Sequence, residues 1–247
     1  MVLTALKGAL GFLSQVPVGQ TGTAWEAFLR TPAAFPLAGY VIGGLLAVPL
    51  LLPLPPATAA IVFVCWLLVV TGINHADGVA DLGDALAVHG GPERRREVMR
   101  DTTVGVGAVL AVCVVFLGVA TAGFSLASLP LAALSVVVAA EVSAKLGMVL
   151  VACFGTAAHE GLGSALTEPL GPLSFALPLL VSLPVVALSW PTPAASVALV
   201  AGLATALVVF WWANRTLGGV SGDVLGATNE LARAVALHAG VVAWMRW

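Results

Sequence analysis

The chain has 247 residues, 60% of them hydrophobic and 9% charged, with a mean hydropathy of +1.06. Soluble domains are roughly 45–50% apolar and about 25% charged, so a water-soluble globular class is excluded. A formal net charge of −2 with no basic block excludes the electrostatic footprint of a nucleic-acid binder. Segments alternating over about 10 residues, the mark of a transmembrane β-barrel, are missing as well. The composition predicts an all-α, polytopic integral membrane protein of about six to seven transmembrane helices, in a single domain over 1–247.

The first stretch, "MVLTALKGALGFLSQVPVG", has one lysine, no clear A-x-A site and a stop at Pro17, and is not read as a signal peptide. Leu3, Leu6, Leu10 and Leu13 recur at helical spacing, which predicts an interfacial helix within 1–16. Apolar runs predict spans at 35–54, 58–74, 103–124, 130–153, 172–190 and 195–214, whereas 235–247 is too short to count as a crossing. Three polar segments lie between them, 75–102, 154–171 and 215–234. Cys65, Cys113 and Cys153 fall inside spans, at spacings that suit neither a disulfide framework nor a zinc site, and read as small hydrophobes.

With the N-terminus in the cytoplasm, Lys7, Arg30, Arg94, Arg95, Arg96, Arg100, Arg215 and Arg233 all fall on the cytoplasmic side. Lys145 lies inside a span four residues after Glu141, where the two neutralise each other on one helix face. Every other acidic residue, from Glu26 to Glu230, lies on the same side as the basic ones. The chemistry is expected at the cytoplasmic face of a multi-pass protein in the cell membrane. Transporters more often scatter charges near the midplane of several spans.

The stretch "INHADGVADLGDAL" places Asp77, Asp81 and Asp84 straight after an apolar run. On a helix Asp81 lies about 40° from Asp77, and Asp84 about 20° to the other side. Carboxylates sharing so narrow a face repel one another unless a cation lies among them. Magnesium suits such a site, because it takes a few carboxylates and leaves positions for water and substrate phosphates. A solvated helix end is the plainer reading of one aspartate, and a weaker one for three. His75 would point away from these carboxylates on a continuous helix and joins them only if the chain bends near Gly78, while Asn74 lies closer to the acidic face.

The run "ERRREVMRDTTVGVGA" adds Arg100 beside Asp101 at the mouth of a span, with Arg94–Arg96 readable as a positive-inside cluster. In "RTLGGVSGDVLGATNELAR" the glycines precede a helical run, with Asp223 and Glu230 seven residues apart and so facing one way. Backbone N–H groups there would suit a phosphate or a polar ring; a flexible turn would read the same. "HEGLG" is weak alone. No G-x-x-x-x-G-K-[ST], G-x-S-x-G or H-E-x-x-H is present. Spacing alone thus predicts a metal-dependent transferase acting on a diphosphate at the membrane surface.

Six ordered stretches sharpen that reading. "HADGVADLGDA" resembles the H-x-D-G-x-A-D-x-x-D-G signature of the cobalamin synthase (adenosylcobinamide-GDP ribazoletransferase) family. "FLSQVPVG", "FPLAGYVIG", "EVMRDTTVG", "HEGLG" and "LGGVSGDVLGATNEL" are similar to its other motifs, in order from about 12 to 231. The resemblance implies magnesium-dependent transfer of the cobinamide phosphoryl group from adenosylcobinamide-GDP to the 3′-hydroxyl of α-ribazole or its 5′-phosphate, with release of GMP. It implies Asp77, Asp81 and Asp84 as metal ligands. Asp84, His75 and Asp101 become candidate catalytic residues, and Arg100, Glu160, Asp223, Gly226 and Glu230 candidate substrate contacts. Small-molecule substrates and the lipid membrane are the expected partners. Docking of other cobalamin-assembly enzymes and a homo-oligomer are compatible with it.

Gln15, Thr103 and Ala158 stand where the family usually has arginine, and Ala85 replaces the last glycine of the signature. Those losses suggest a preference for dephosphorylated α-ribazole, with Arg94–Arg96 as the compensating cations otherwise. An intramembrane prenyltransferase would need a second aspartate cluster, which Asp223 and Glu230 supply poorly. A CDP-alcohol phosphotransferase has a different aspartate spacing, and a transporter or scaffold leaves the aspartate row unexplained.

Overall fold

The computed structural model describes all 247 residues, and its one extended pairing is a single parallel bridge between Ala157 and Val220. Two short helices open the chain, α1 (Val2–Leu13) and α2 (Gly22–Leu29), followed by α3 (Ala34–Ala47), α4 (Pro56–Thr71), α5 (Asn74–Ala87) and α6 (Pro92–Arg100). The rest comprises α7 (Val106–Leu126), α8 (Ser135–Phe154), α9 (Leu162–Thr167), α10 (Ala176–Ser182), α11 (Ala194–Thr216) and α12 (Gly222–Arg246). Five stretches are long and apolar enough to cross a bilayer: Ala34–Leu51, Val106–Leu126, Leu131–Phe154, Pro172–Ser189 and Ala194–Thr216. A sixth crossing is α4 if it is taken with α5, which turns away from it by 102°. The protein is therefore a multi-pass, all-α membrane protein.

The core is built on α8, whose span is 94% buried, so it contacts protein rather than lipid along its whole length. Against it pack α3, α11 and α12. The "FPLAGYVIG" stretch serves this packing: a Cβ on Gly39 would lie 2.9 Å from Val142 Cα, and one on Gly43 2.7 Å from Val138 Cα. Small residues at that spacing let two membrane helices touch backbone to backbone.

The sequence divides the C-terminal region into a polar segment, 215–234, and a short tail, 235–247, but the structure has one 25-residue helix, α12, packed between α8, α11, α5 and α7. At 1.5 Å per residue it is about 37 Å long, enough to cross a bilayer. The charges that made its first half read as a loop are neutralised inside the bundle. Arg233, counted among the cytoplasmic cations, is buried; it bonds Glu141 of α8 and Glu230 one turn back on α12. Lys145 holds Glu141 at 2.5 Å. Two acids and two bases balance, which is what buried charges need.

The interfacial stretch forms α1, which buries Ala5, Ala9, Leu10 and Leu13 but leaves Leu3 exposed. Its hairpin partner α2 begins at Thr21, whose hydroxyl accepts from the Ala24 N–H at 3.2 Å.

Candidate active site

The turn between α4 and α5 depends on Gly72, at φ +71° and ψ −167°, a region open essentially to glycine alone that costs other residues about 1–3 kcal/mol. It lays α5 across the bundle end instead of continuing α4. From there to Ala87 the helix is unbroken, so the 3.6-residue period separates its faces. His75, Gly78, Val79, Leu82 and Ala85 are buried, while Asn74 and Asp77 are exposed and Asp81 and Asp84 half-buried along the other face.

Gly78 is where α12 crosses: a Cβ there would fall 2.4 Å from the Asp223 carbonyl oxygen, and one on Gly226 3.2 Å from His75 Cα. That crossing brings Asp223 into the field of the α5 row. Burial first, then the charges of Asp223, Asp77 and Asp84, push the Asp81 carboxyl up to about 7. Asp84 is tied differently. Its Oδ2 accepts from the Gly105 N–H at 2.7 Å and its Oδ1 from the Ala108 N–H at 2.8 Å, which fixes it at the start of α7.

A polar cleft of about 320 Å³ opens over this row, walled by Asp77, Asp81 and Asp84 on one side and by Arg100, Asp101 and Thr103 on the other. The Thr103 backbone N–H donates to Asp101 Oδ1 at 3.0 Å; that bond and the Thr103 side chain hold the exposed Asp101 carboxyl below its ordinary value. A smaller hollow of about 100 Å³ shares Arg100 and adds Arg96, Ala158, His159, Ser221 and Asp223.

The polar segments are fastened together. Arg96 donates to the Leu217 carbonyl at 2.6 Å, Arg95 donates to the Ala85 carbonyl near the end of α5, and Arg94 pairs with Glu97 in solvent. The Ala158 N–H donates to Val220 O at 2.9 Å, and the Val220 N–H to Thr156 O at 2.8 Å. Arg95 and Arg96 therefore cap carbonyls at helix ends, so they are not the free phosphate ligands that would replace absent family arginines.

The structure thus gathers Asp77, Asp81, Asp84, Arg100 and Asp101 in one cleft, with Asp223 adjoining. It does not bring the other four candidates there. Glu160 stands on an exposed turn outside both hollows, and its neighbour His159 lines one instead. Gly226 and Glu230 lie within helix packing, the latter bonded to Arg233 and Asn229. His75 faces α12, because α5 has no bend at Gly78. Of the departures, Thr103 and Ala158 line the clefts, whereas Gln15 packs at the α4–α5 turn, where a Cβ on Gly72 would meet its Nε2 at 2.5 Å.

Asn229, Ser221 and His159 were not singled out by sequence, and Arg96 was read there only as part of a cationic cluster. Ser221 had a readable signal, since it caps α12 by accepting the Val224 N–H at 3.3 Å, in a Ser-x-x spacing. The partner of Asn229 is 154 positions away in the chain, and nothing local marks it.

As the side chains stand, no three of these groups converge on a point that could hold an ion. The donor set nevertheless fits a hard divalent cation: it is all-oxygen, open to solvent on one side, and carries in Asp81 a repulsion that a cation relieves.

A family model described as cobalamin-5-phosphate synthase matches residues 5–241. The chain belongs to the cobalamin-5-phosphate synthase family. Among relatives it is 50% identical to the adenosylcobinamide-GDP ribazoletransferase of Halorubrum lacusprofundi, over 100% of both chains. It is 45% identical to that of Haloquadratum walsbyi, covering 99% of this chain and 100% of the relative. With the Deinococcus radiodurans protein of the same name the identity is 36%, over 97% of this chain and 86% of the relative. No solved structure matches the chain. As a member of the cobalamin-5-phosphate synthase family the chain is an enzyme, a transferase, held in a membrane by several apolar helices.

Proposed function

We propose that this chain carries out the transfer for which its relatives are named. The 3′-hydroxyl of α-ribazole, or of its 5′-phosphate, attacks the phosphorus nearer the cobinamide in adenosylcobinamide-GDP. The bond to the bridging oxygen breaks and GMP leaves. The observation that carries the reading is the aspartate row of α5 facing Arg100 across one cleft, in a chain that matches the family over residues 5–241.

Asp77 and Asp81, with Asp84 and Asp223 beside them, would hold Mg2+, which when bound neutralises diphosphate charge as the P–O bond breaks. Arg100 reaches the same cleft and offers a planar fork of donors to the phosphate that departs with guanosine. Asp84, fixed by two backbone N–H groups, keeps the end of the row in register with α7. The attacking hydroxyl loses its proton into this carboxylate row. Asp101, held by the Thr103 N–H, lines the same cleft as Arg100. His75, turned from the cleft, positions α5 against α12.

The Lys and Arg distribution supports a cytoplasmic position for this face, with the N-terminus on the same side. The purified protein in detergent, given adenosylcobinamide-GDP, α-ribazole and Mg2+, is expected to release GMP and form adenosylcobalamin, and to stop when the metal is chelated. Folded protein that releases no GMP with either α-ribazole or its phosphate would overturn the proposal.

A further inference from the structure

At the N-terminal end of the aspartate row lies a third cavity, larger than those two, of about 490 Å³, between the α1–α2 hairpin and the start of α5. Its volume is in the ordinary range for small-molecule sites. Phe12 and Trp25 form an aromatic wall, with ring centroids 5.4 Å apart. Gln20, Thr21 and Asn74 supply polar atoms, Gly8 lets α1 touch the α2 backbone at Ala24, Gly22 faces open space, and no charged residue lines the cavity.

Asn74 ties this cavity to the chemistry. It is the first residue of α5 and precedes Asp77 by three positions on the exposed face, so cavity and cleft meet along one continuous row. The hairpin is anchored there, because the Gln15 N–H donates to the Val70 carbonyl at 2.7 Å just before the Gly72 turn.

The two hollows differ in charge as the two substrates do. The donor carries a diphosphate and needs a cation, which Arg100 supplies where it lines both polar clefts. A dephosphorylated nucleoside acceptor is neutral, with a flat heteroaromatic base that stacks on aromatic rings. We infer that the α1–α2 cavity binds the base of the nucleoside acceptor between Phe12, Trp25 and Asn74, which aims the ribose hydroxyl along α5 toward Asp77. The inference rests on the proposed transferase reading and adds the acceptor site to it.

Gly22 provides the test. A Cβ built there meets nothing within 4 Å, so a larger side chain enters open space without a clash, and the same holds for Gly44 on α3, which does not line the cavity. Gly22→Leu is expected to raise KM for α-ribazole by about tenfold or more, with KM for adenosylcobinamide-GDP and kcat at saturating acceptor within about twofold. Gly44→Leu should change neither. Calorimetric titration of α-ribazole into the full chain without donor should show binding in the unmodified protein and in Gly44→Leu, and none in Gly22→Leu.

If Gly22→Leu does not fold, Gly22→Cys replaces it. α-Ribazole should slow labelling of that cysteine by a charged maleimide, measured against the unmodified protein, and GMP should not. An unchanged α-ribazole KM in folded Gly22→Leu overturns the inference, as does equal labelling with and without α-ribazole. A raised donor KM instead would put guanine in the cavity and overturn it too. Absence of turnover in the unmodified protein would defeat the transferase reading, while the binding and labelling arms still decide the cavity.

Discussion

Asn229 gives away both hydrogens of its amide nitrogen, one to Glu230 Oε1 at 3.0 Å and one to His75 Nδ1 at 3.1 Å. Glu230 accepts from Arg233 through one oxygen and from Asn229 through the other, so the Asn229 nitrogen faces it. His75 Nδ1 is then an acceptor, and the imidazole carries its proton on Nε2. The orientation leaves Asn229 Oδ1 buried without a partner, a cost that the two donated bonds offset. Asn229→Leu should lower stability by about 1–3 kcal/mol, read as a lower melting temperature in detergent. Arg233→Met removes the counter-charge of two buried carboxylates and should cost about 3–5 kcal/mol, a larger fall in the same melt. The aspartates of α5 and the Arg100–Asp101 pair were legible in the sequence because they are local, with their spacing alone putting them on one face. Arg233 was not, because its partner Glu141 lies 92 positions away and a lone arginine reads as a loop marker.

At the scale of elements, the direction of α5 is the decisive feature, and two glycines set it. Gly72→Ala forces a side chain into φ +71°, ψ −167° and onto Gln15, and should cost about 1–3 kcal/mol in thermal stability along with a loss of turnover. Gly78→Val acts on α5 packing instead. Its Cβ would meet the Asp223 carbonyl oxygen at 2.4 Å, so α5 and α12 must part and the row shifts against Asp223. A displacement of about 1 Å at a reacting centre can reduce the rate about 100-fold, and GMP release by folded Gly78→Val should fall on that order. The six apolar runs were legible from hydropathy, and the short segment after them was not. The charges of α12 lower its hydropathy below that of a span, and only the partners on α8 explain why a helix so charged belongs inside. The "FPLAGYVIG" stretch was visible as a motif, but its service to α3–α8 packing needed the third dimension.

Over the whole molecule, the three polar segments expected from sequence do meet, through Arg96 on Leu217, Thr156 and Ala158 on Val220, and Gly78 under Asp223. Their convergence was legible as a pattern of polar interruptions between spans. The hairpin cavity beside them was not, because its lining is shared between α1, α2 and Asn74 at the start of α5. Glu93 is exposed on α6, and a cysteine placed there should label in inverted membrane vesicles and not from outside intact cells. The central claim is that the exposed row of α5 is the site of phosphoryl transfer, and GMP release by folded Asp77→Asn and Asp81→Asn measures it directly, beside Glu160→Gln. Both aspartate variants should lose about 10²–10³-fold or more in kcat, while Glu160→Gln, outside the cleft, stays within about threefold. Turnover near the unmodified rate in Asp77→Asn or Asp81→Asn would contradict the account.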